Sequence, residues 1–375
     1  MNMGEGAYVE VLPIGGFGTE LSYKVPPTLA GKLSPGCLVR IPLQRRIVNG
    51  VILRETTAPT FEASKLKNVI GLTWDFPVLP PDLLQLASWL PQYYACSKES
   101  AIEVMMPAPV RRGMATKKKR FLEIVSKVDE ATMANVSKRA PMQGKLLVFL
   151  SRQRLPVPRI ETLARLNVPA SSCEALKKKG LVLETERRQE RLAYADELSI
   201  SEENVEAEVQ LTDEQETVRG AILDQWRSDS FGVHLLHGVT GSGKTEVYVK
   251  VMEEVLRNGK GVLFLVPEVA LAPQTVGRIR ARFGSQGYKT VVWHSHLSEG
   301  ERLDAWLDAA KGDAPIVVGA RSAVFAPLPK LGLVVVDEEH EPAYKQEDTP
   351  RYHARDVAVY RAKLTNATCI LGSAT

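Results

Sequence analysis

Residues 238–245 (GVTGSGKT) place three glycines, a lysine and a threonine at a spacing that lets consecutive backbone N–H groups surround a polyphosphate. Gly238, Gly241 and Gly243 permit a tight strand-to-helix turn, and Val239, Thr240 and Ser242 complete the loop. A helix starting near Gly243 would direct its positive end at the anion. Lys244 is then placed for the β- and γ-phosphates, and the Thr245 hydroxyl for magnesium. About a hundred residues on, Asp337, Glu338, Glu339 and His340 follow the apolar run 333–336 (LVVV). A buried strand would present the first two carboxylates at its end. Asp337 would hold magnesium through water, and Glu338 would orient and activate an attacking water. An Asp-Glu-Glu cluster is usually a solvated face, a reading that suits Glu339 better than residues emerging from four apolar ones. The two stretches together point to ATP and Mg2+ as ligands and hydrolysis as the chemistry, with Lys244, Asp337 and Glu338 as the catalytic set.

Gln215 admits two readings. Thr212 and Gln215 have capping-box spacing, which structure alone would explain. A glutamine at this distance before a phosphate loop also reads adenine in many nucleic-acid motors, and the two roles can coexist.

The elements that must position these residues follow from periodicity. From residue 211 onward, strands near 232–237, 261–266, 290–294, 316–318, 333–336 and 368–371 alternate with helical stretches. Their near-continuous Val, Ile and Leu content predicts a mostly parallel sheet covered on both faces. Upstream, 8–12, 20–25, 37–41, 50–54 and 67–72 read as short strands of a small β-barrel or sandwich. Pro80 and Pro81 open a helix that Pro91 is expected to kink or end, and a short helix covers 98–105. Between these units, helical patterns at 145–152, 159–166 and 171–179, a stop at Gly180 and a strand from 181 suggest three helices and a hairpin, the winged-helix plan. Such a unit binds duplex DNA or serves as a docking spacer. Lys177, Lys178 and Lys179 favour DNA, since phosphate neutralisation needs only such charges.

Composition is that of a soluble protein: 375 residues, 44% of them hydrophobic, with a net charge of +4. The charge is uneven. Residues 111–120 carry six basic side chains and no acidic one, a second basic group spans 177–191, and 196–216 is strongly acidic. A single basic run is commonly a solvated linker, but two beside a nucleotide motif favour nucleic acid. There is no apolar signal region and no run of the ~20 apolar residues that spans a bilayer. Cys37, Cys96, Cys173 and Cys369 are scattered, which argues against a disulfide framework or a zinc ribbon and suits a reducing cytoplasm. The pairs His234/His237 and His294/His296 have no further ligands near them in sequence and are weak metal candidates.

Residues 238–248 (GVTGSGKTEVY), 267–274 (PEVALAPQ), 319–323 (GARSA), 337–340 (DEEH), 344–346 (YKQ), 351–356 (RYHARD) and 372–375 (GSAT) follow one another in the order of superfamily 2 DNA helicases. In detail they most resemble the bacterial replication-restart primosomal helicases. That resemblance implies a β-rich 3′-DNA-end-binding domain at 1–110, a winged helix at 115–192, an acidic linker at 193–210 and a RecA-like first helicase lobe at 211–375. A second lobe, a cysteine-rich zinc module and a C-terminal domain would lie beyond Thr375, so zinc is expected only there. The arginine finger would come from the second lobe, and residues 1–375 are expected to bind DNA and ATP with little motor activity.

The resemblance also assigns roles. Pro267, Gln274, Arg321 and Ser322 would grip the phosphates of one strand, and Tyr344, Arg351 and Tyr352 would belong to an aromatic-rich loop that links DNA contact to hydrolysis. His340, Ser373 and Thr375 would relay the nucleotide state. Tyr23 and Lys67 are candidates for a 3′-end pocket. That pocket departs from the family, with Leu21-Ser22-Tyr23 where a Phe-Asp-Tyr-like stretch is usual and Pro42-Leu43-Gln44 where a glycine is expected. Implied partners are forked, branched and single-stranded DNA, single-strand binding protein and helicase-loading primosome proteins, in the bacterial cytoplasm near the nucleoid. Another superfamily 2 branched-DNA translocase, or a fork-binding module that uses no ATP, are the competing readings. A wedge domain at the N-terminus would favour the translocase, and fork binding indifferent to Lys244 would favour the module.

Overall fold

A computed structural model of the chain describes residues 8–57, 59, 61–116, 118–125, 128–153, 155–188, 210–268 and 273–374. The expected linker at 193–210 lies outside them except for Gln210, as do Thr375 and the side chain of Gln274. Residues 115–190 form one compact unit, and the segments on either side of it form another.

The second of these units begins with strands β1 (Tyr8–Pro13), β2 (Leu21–Lys24), β3 (Leu38–Leu43), β4 (Arg46–Thr56) and β5 (Gly71–Leu72). They make an antiparallel sheet of order β2-β1-β4-β3-β5. Alternate residues Val9 and Val11, with Val39, Ile41 and Ile52, fill its inside, as a period of two requires. The open edge closes at Lys24, whose N–H donates to Lys67 O (2.9 Å) while its carbonyl accepts from Val69 N–H (3.0 Å). Of the two arrangements expected, this closure favours the barrel. Helices α1 (Pro81–Tyr94), α2 (Lys98–Met105) and α3 (Ala108–Arg111) follow. Pro81 occupies the first turn of α1, where a missing N–H costs nothing.

Of the two outcomes expected at Pro91, an end to α1 does not occur, and the helix continues to Tyr94. A proline removes one helical hydrogen bond. Side-chain packing holds the last turn regardless: Trp89 stacks on Tyr360 at 4.2 Å, and the Tyr94 hydroxyl bonds to Asp356 and to His353 N–H.

The 115–190 unit contains β6 (Lys118–Ile124), α4 (Glu130–Arg139), α5 (Pro141–Ser151), β7 (Val157–Pro158), α6 (Arg159–Leu166), α7 (Ala170–Lys178) and β8 (Val182–Arg188). Its core gathers Leu122, Leu146, Leu147, Leu150, Leu163, Cys173 and Leu176. Gly180, at φ 67°, releases the chain from α7. The strand expected after the last helix is β8, and the hairpin partner expected beyond it lies outside the described residues. Strand β8 pairs antiparallel along the whole of β6, which precedes the helices, and β7 flanks β6 on its other edge. The pairing is therefore long-range and invisible to a local hairpin signal.

From residue 213 the chain builds α8 (Asp213–Arg227), β9 (Gly232–His237), α9 (Lys244–Arg257), β10 (Gly261–Leu265), α10 (Pro273–Gly284), β11 (Thr290–Trp293), α11 (Glu299–Lys311), β12 (Ile316–Gly319), β13 (Leu331–Val336), α12 (Ala354–Thr365) and β14 (Thr368–Ser373). The sheet has order β11-β12-β10-β13-β14-β9, and every pairing is parallel. Along β13, Val334 and Val336 enter one core while Leu333 and Val335 enter the other, so the strand is buried on both faces. The first of these cores also takes Leu83, Leu86 and Leu90 of α1, Ile102 and Met105 of α2, and Leu12, Leu38 and Val51 of the barrel. At the seam, the fully buried Arg361 donates to Asp82 Oδ2 (2.8 Å) and to Val324 O (2.7 Å). Barrel, α1–α3 and helicase sheet thus share a continuous interior.

Candidate nucleotide and nucleic-acid site

The loop from β9 to α9 turns at Gly241 and Gly243, with φ of 81° and 83°, values that glycine adopts without strain. Its backbone then enters α9 at Lys244, leaving the first-turn N–H groups directed outward from the helix end. Thr245 lies exposed in that first turn. Gln215 performs the capping role: its Oε1 accepts from Thr212 N–H (2.9 Å), and Thr212 Oγ1 accepts from Gln215 N–H (3.3 Å). The same amide also donates to Ser242 O of the phosphate loop (2.9 Å). This ties α8 to the loop, and a Cβ on Gly243, already disfavoured at φ 83°, would displace the Gln215 amide.

Strands β13, β14 and β9 are neighbours, so their carboxyl ends deliver the acidic motif, Ser373 and the phosphate loop to one edge. A closed circuit of contacts results. Lys244 Nζ donates to Gly238 O (2.6 Å) and lies 3.6 Å from Glu338 Oε1. Glu338 Oε2 is 3.8 Å from His340 Nδ1, which shares a hydrogen bond with Ser373 Oγ (3.3 Å). Ser373 O accepts from Gly238 N–H (3.0 Å), closing the circuit. Glu338 holds a left-handed conformation at φ 45°, and Glu339 N–H donates to Gly372 O (2.7 Å). Glu339 itself pairs with Arg355 (2.8 Å).

Asp337 sits deeper. Burial first, and then the charge of Glu338, push its carboxyl above the usual carboxylate range, while the Tyr248 hydroxyl, donating to Oδ1 at 3.2 Å, acts in the opposite direction. Tyr344 donates to Asp337 O (2.7 Å). Tyr248 and Gly372 are parts of this site that lie within the quoted motifs but had no role assigned to them. A Cβ on Gly372 would strike Tyr248 Oη and approach Asp337 Oδ1 to 3.1 Å. Tyr248 lies four residues after Lys244 on an apolar helix face, so its sequence signal was that of core.

The expected strand-gripping segments also converge. Pro267, Arg321, Ser322 and Tyr344 line one shallow pocket with Glu268 and Ser295. In the aromatic loop, Tyr344 and Tyr352 are each 1% exposed, and their rings pack into the core. Tyr352 packs edge-on against Phe325 at 5.0 Å. Arg321 is half-buried and donates to Lys345 O (2.7 Å), holding that loop, whereas Arg351 remains exposed.

On the barrel, Leu21, Ser22, Tyr23, Pro42, Leu43, Gln44 and Lys67 line a second pocket, so both stretches that depart from the family meet there. The Tyr23 hydroxyl donates to Pro42 O (3.2 Å) and Lys67 Nζ reaches Gln44 O (3.4 Å). Ser22, where an acid was expected, donates to the buried Glu10 (2.6 Å). In the 115–190 unit, the Lys177 ammonium is matched by Glu184 (2.9 Å) and Glu174 (3.2 Å), and Lys179 donates to Gln143 (2.8 Å), while Lys178 is exposed.

A family model described as a DEAD/DEAH box helicase matches residues 212–375, and one described as a 3′DNA-binding domain matches residues 11–107. A replication restart protein PriA from Chlamydia muridarum is 35% identical over 98% of this chain and 49% of its own length. Its namesake in Bacillus subtilis is 33% identical over 94% of this chain and 51% of its own length. That of Treponema pallidum is 48% identical over 44% and 24%. The chain spans about half the length of the first two. Parallel sheet, phosphate loop and acidic strand end define a DEAD/DEAH box helicase lobe, here fused to a 3′DNA-binding domain. The similarity to the replication restart proteins runs through both parts and the unit between them. Over the half of their length that it spans, the chain is similar to these replication restart proteins PriA.

Proposed function

We propose that this chain is the ATP- and fork-binding part of a 3′-to-5′ DNA helicase that acts in replication restart at stalled or branched forks. The observation that carries the reading is the circuit from Lys244 through Glu338, His340 and Ser373 to Gly238, which joins phosphate loop, acidic motif and the end of β14. Such a circuit can report the state of a γ-phosphate to a neighbouring element. Lys244 and the loop N–H groups bind the phosphates, Glu338 orients the attacking water, and Gln215 contacts adenine from its place beside Ser242. The Asp337 carboxylate and Thr245 hydroxyl are hard oxygen donors that suit Mg2+, and a cation would offset the burial of Asp337. Magnesium, when bound, would neutralise charge on the β- and γ-phosphates.

DNA contacts fall to the pocket around Pro267, Arg321 and Ser322, to Tyr23 and Lys67 on the barrel, and to a winged helix at 115–192 through Lys178 and Lys179. Single-strand binding protein and helicase-loading primosome proteins are the partners the family implies. With an arginine finger supplied by a second lobe, residues 1–375 hydrolyse ATP slowly, since such a finger contributes roughly 10³ to 10⁵ in rate. Titrating these residues with forks that carry or lack a free 3′ end, alongside ATP turnover, tests the proposal. Preference for the free end with negligible DNA-stimulated turnover is expected. Equal affinity for both forks would remove end recognition, and turnover near one per second would overturn the account of hydrolysis.

A further inference from the structure

Where α1 meets α12, three aromatic rings lie in a stack. Trp89 stacks on Tyr360 at 4.2 Å with an interplanar angle of 11°, and on Tyr93 at 4.6 Å and 24°. Tyr94 packs edge-on against both Trp89 (5.9 Å) and Tyr93 (4.9 Å). Its hydroxyl is fixed between Asp356 Oδ2 (3.3 Å) and His353 N–H (3.1 Å), which holds Tyr94 in place beside the stack. Packing alone would bury the outermost ring, yet Tyr93 is 59% exposed. The exposed Lys345 lies with its ammonium 5.4 Å from the centre of the Tyr94 ring, within cation–π range, and donates to Arg351 O (2.6 Å).

We infer that Tyr93 is a stacking platform for a base of single-stranded DNA, with Lys345 placed for a flanking phosphate. A base needs a rigid π-face, which Tyr93 gains from Trp89 and Tyr360 without further ordering on binding. Every base has such a face, so the contact is independent of sequence. The cation supplies the charge that a polyanionic partner requires. The platform straddles both matched segments, since Trp89, Tyr93 and Tyr94 lie within the 3′DNA-binding match and Lys345 and Tyr360 within the helicase match. A strand on it would touch both at once. The inference rests on the reading of the chain as DNA-binding.

The test compares wild type, Tyr93→Ala and Tyr93→Phe of residues 1–375, by anisotropy, on a labelled twenty-nucleotide thymidine oligonucleotide and on an abasic oligonucleotide of equal charge. Tyr93→Ala is expected to weaken binding of the thymidine strand about tenfold. The abasic strand should bind all three proteins equally, and Tyr93→Phe should match wild type. Equal binding of the thymidine strand by Tyr93→Ala and wild type would overturn the platform alone. An equal loss on both oligonucleotides would mark Tyr93 as structural and overturn it too. If wild type binds neither the oligonucleotides nor a fork, the DNA-binding reading itself fails.

Discussion

In the helicase lobe, three adjacent parallel strands carry Asp337, Ser373 and Gly238 to one edge, and the side chains there are bonded chiefly to one another. On the barrel, Tyr23, Gln44 and Lys67 come from three separate segments, and the polar groups of Tyr23 and Lys67 reach main-chain carbonyls. The first arrangement makes each residue depend on its neighbours, because a shift of one strand end moves every partner in the circuit. The second lets one side chain change while the barrel stays as it is.

The largest expected effect falls where the two regions join. Asp82→Ala leaves the Arg361 guanidinium buried without its carboxylate, and loss of one partner of a buried pair costs about 3–5 kcal/mol. Denaturant unfolding of residues 1–375 should show that loss; a change below about 1 kcal/mol would mean that barrel and lobe are not held through this pair. Next comes Gly372→Ala, which drives a methyl group into Tyr248 and towards Asp337. Overpacking of this kind costs about 1–3 kcal/mol, and nucleotide affinity should fall with it while fork affinity holds. Unchanged nucleotide affinity would show that the strand ends tolerate movement after all. The smallest effect is expected in the barrel pocket. Lys67→Ala should cut binding of a fork with a free 3′ end about fivefold, close to 1 kcal/mol, with stability and nucleotide binding intact. An equal loss on forks without that end would make Lys67 a general phosphate contact.

The same contrast governs what could be read before the fold was known. The six strands of the lobe were legible as apolar runs, with ends within about two residues of those observed, because a strand buried on both faces needs no partner to declare itself. Lys244, Asp337 and Glu338 were legible because contiguous motifs place them. Tyr248 and Gly372 were not, since their meaning is a single contact between a helix and a strand. The burial of Tyr344 and Tyr352 was not legible, because a polar, proline-bearing segment carries no sign that its rings turn inward onto Phe325 and the Asp337 backbone. The pairing of β8 with β6 escaped for a related reason, as tertiary packing decided it.

The central claim is that residues 238–245 and 337–340 form a working nucleotide site within a DNA-binding chain. Calorimetric titration of a non-hydrolysable ATP analogue with Mg2+ into wild type and Lys244→Ala tests it most directly. Loss of the charged hydrogen bonds from Lys244 should weaken nucleotide binding by about 1.5–3 kcal/mol, on the order of tenfold to a hundredfold. Equal nucleotide affinity in the two proteins, with both correctly folded, would contradict the account.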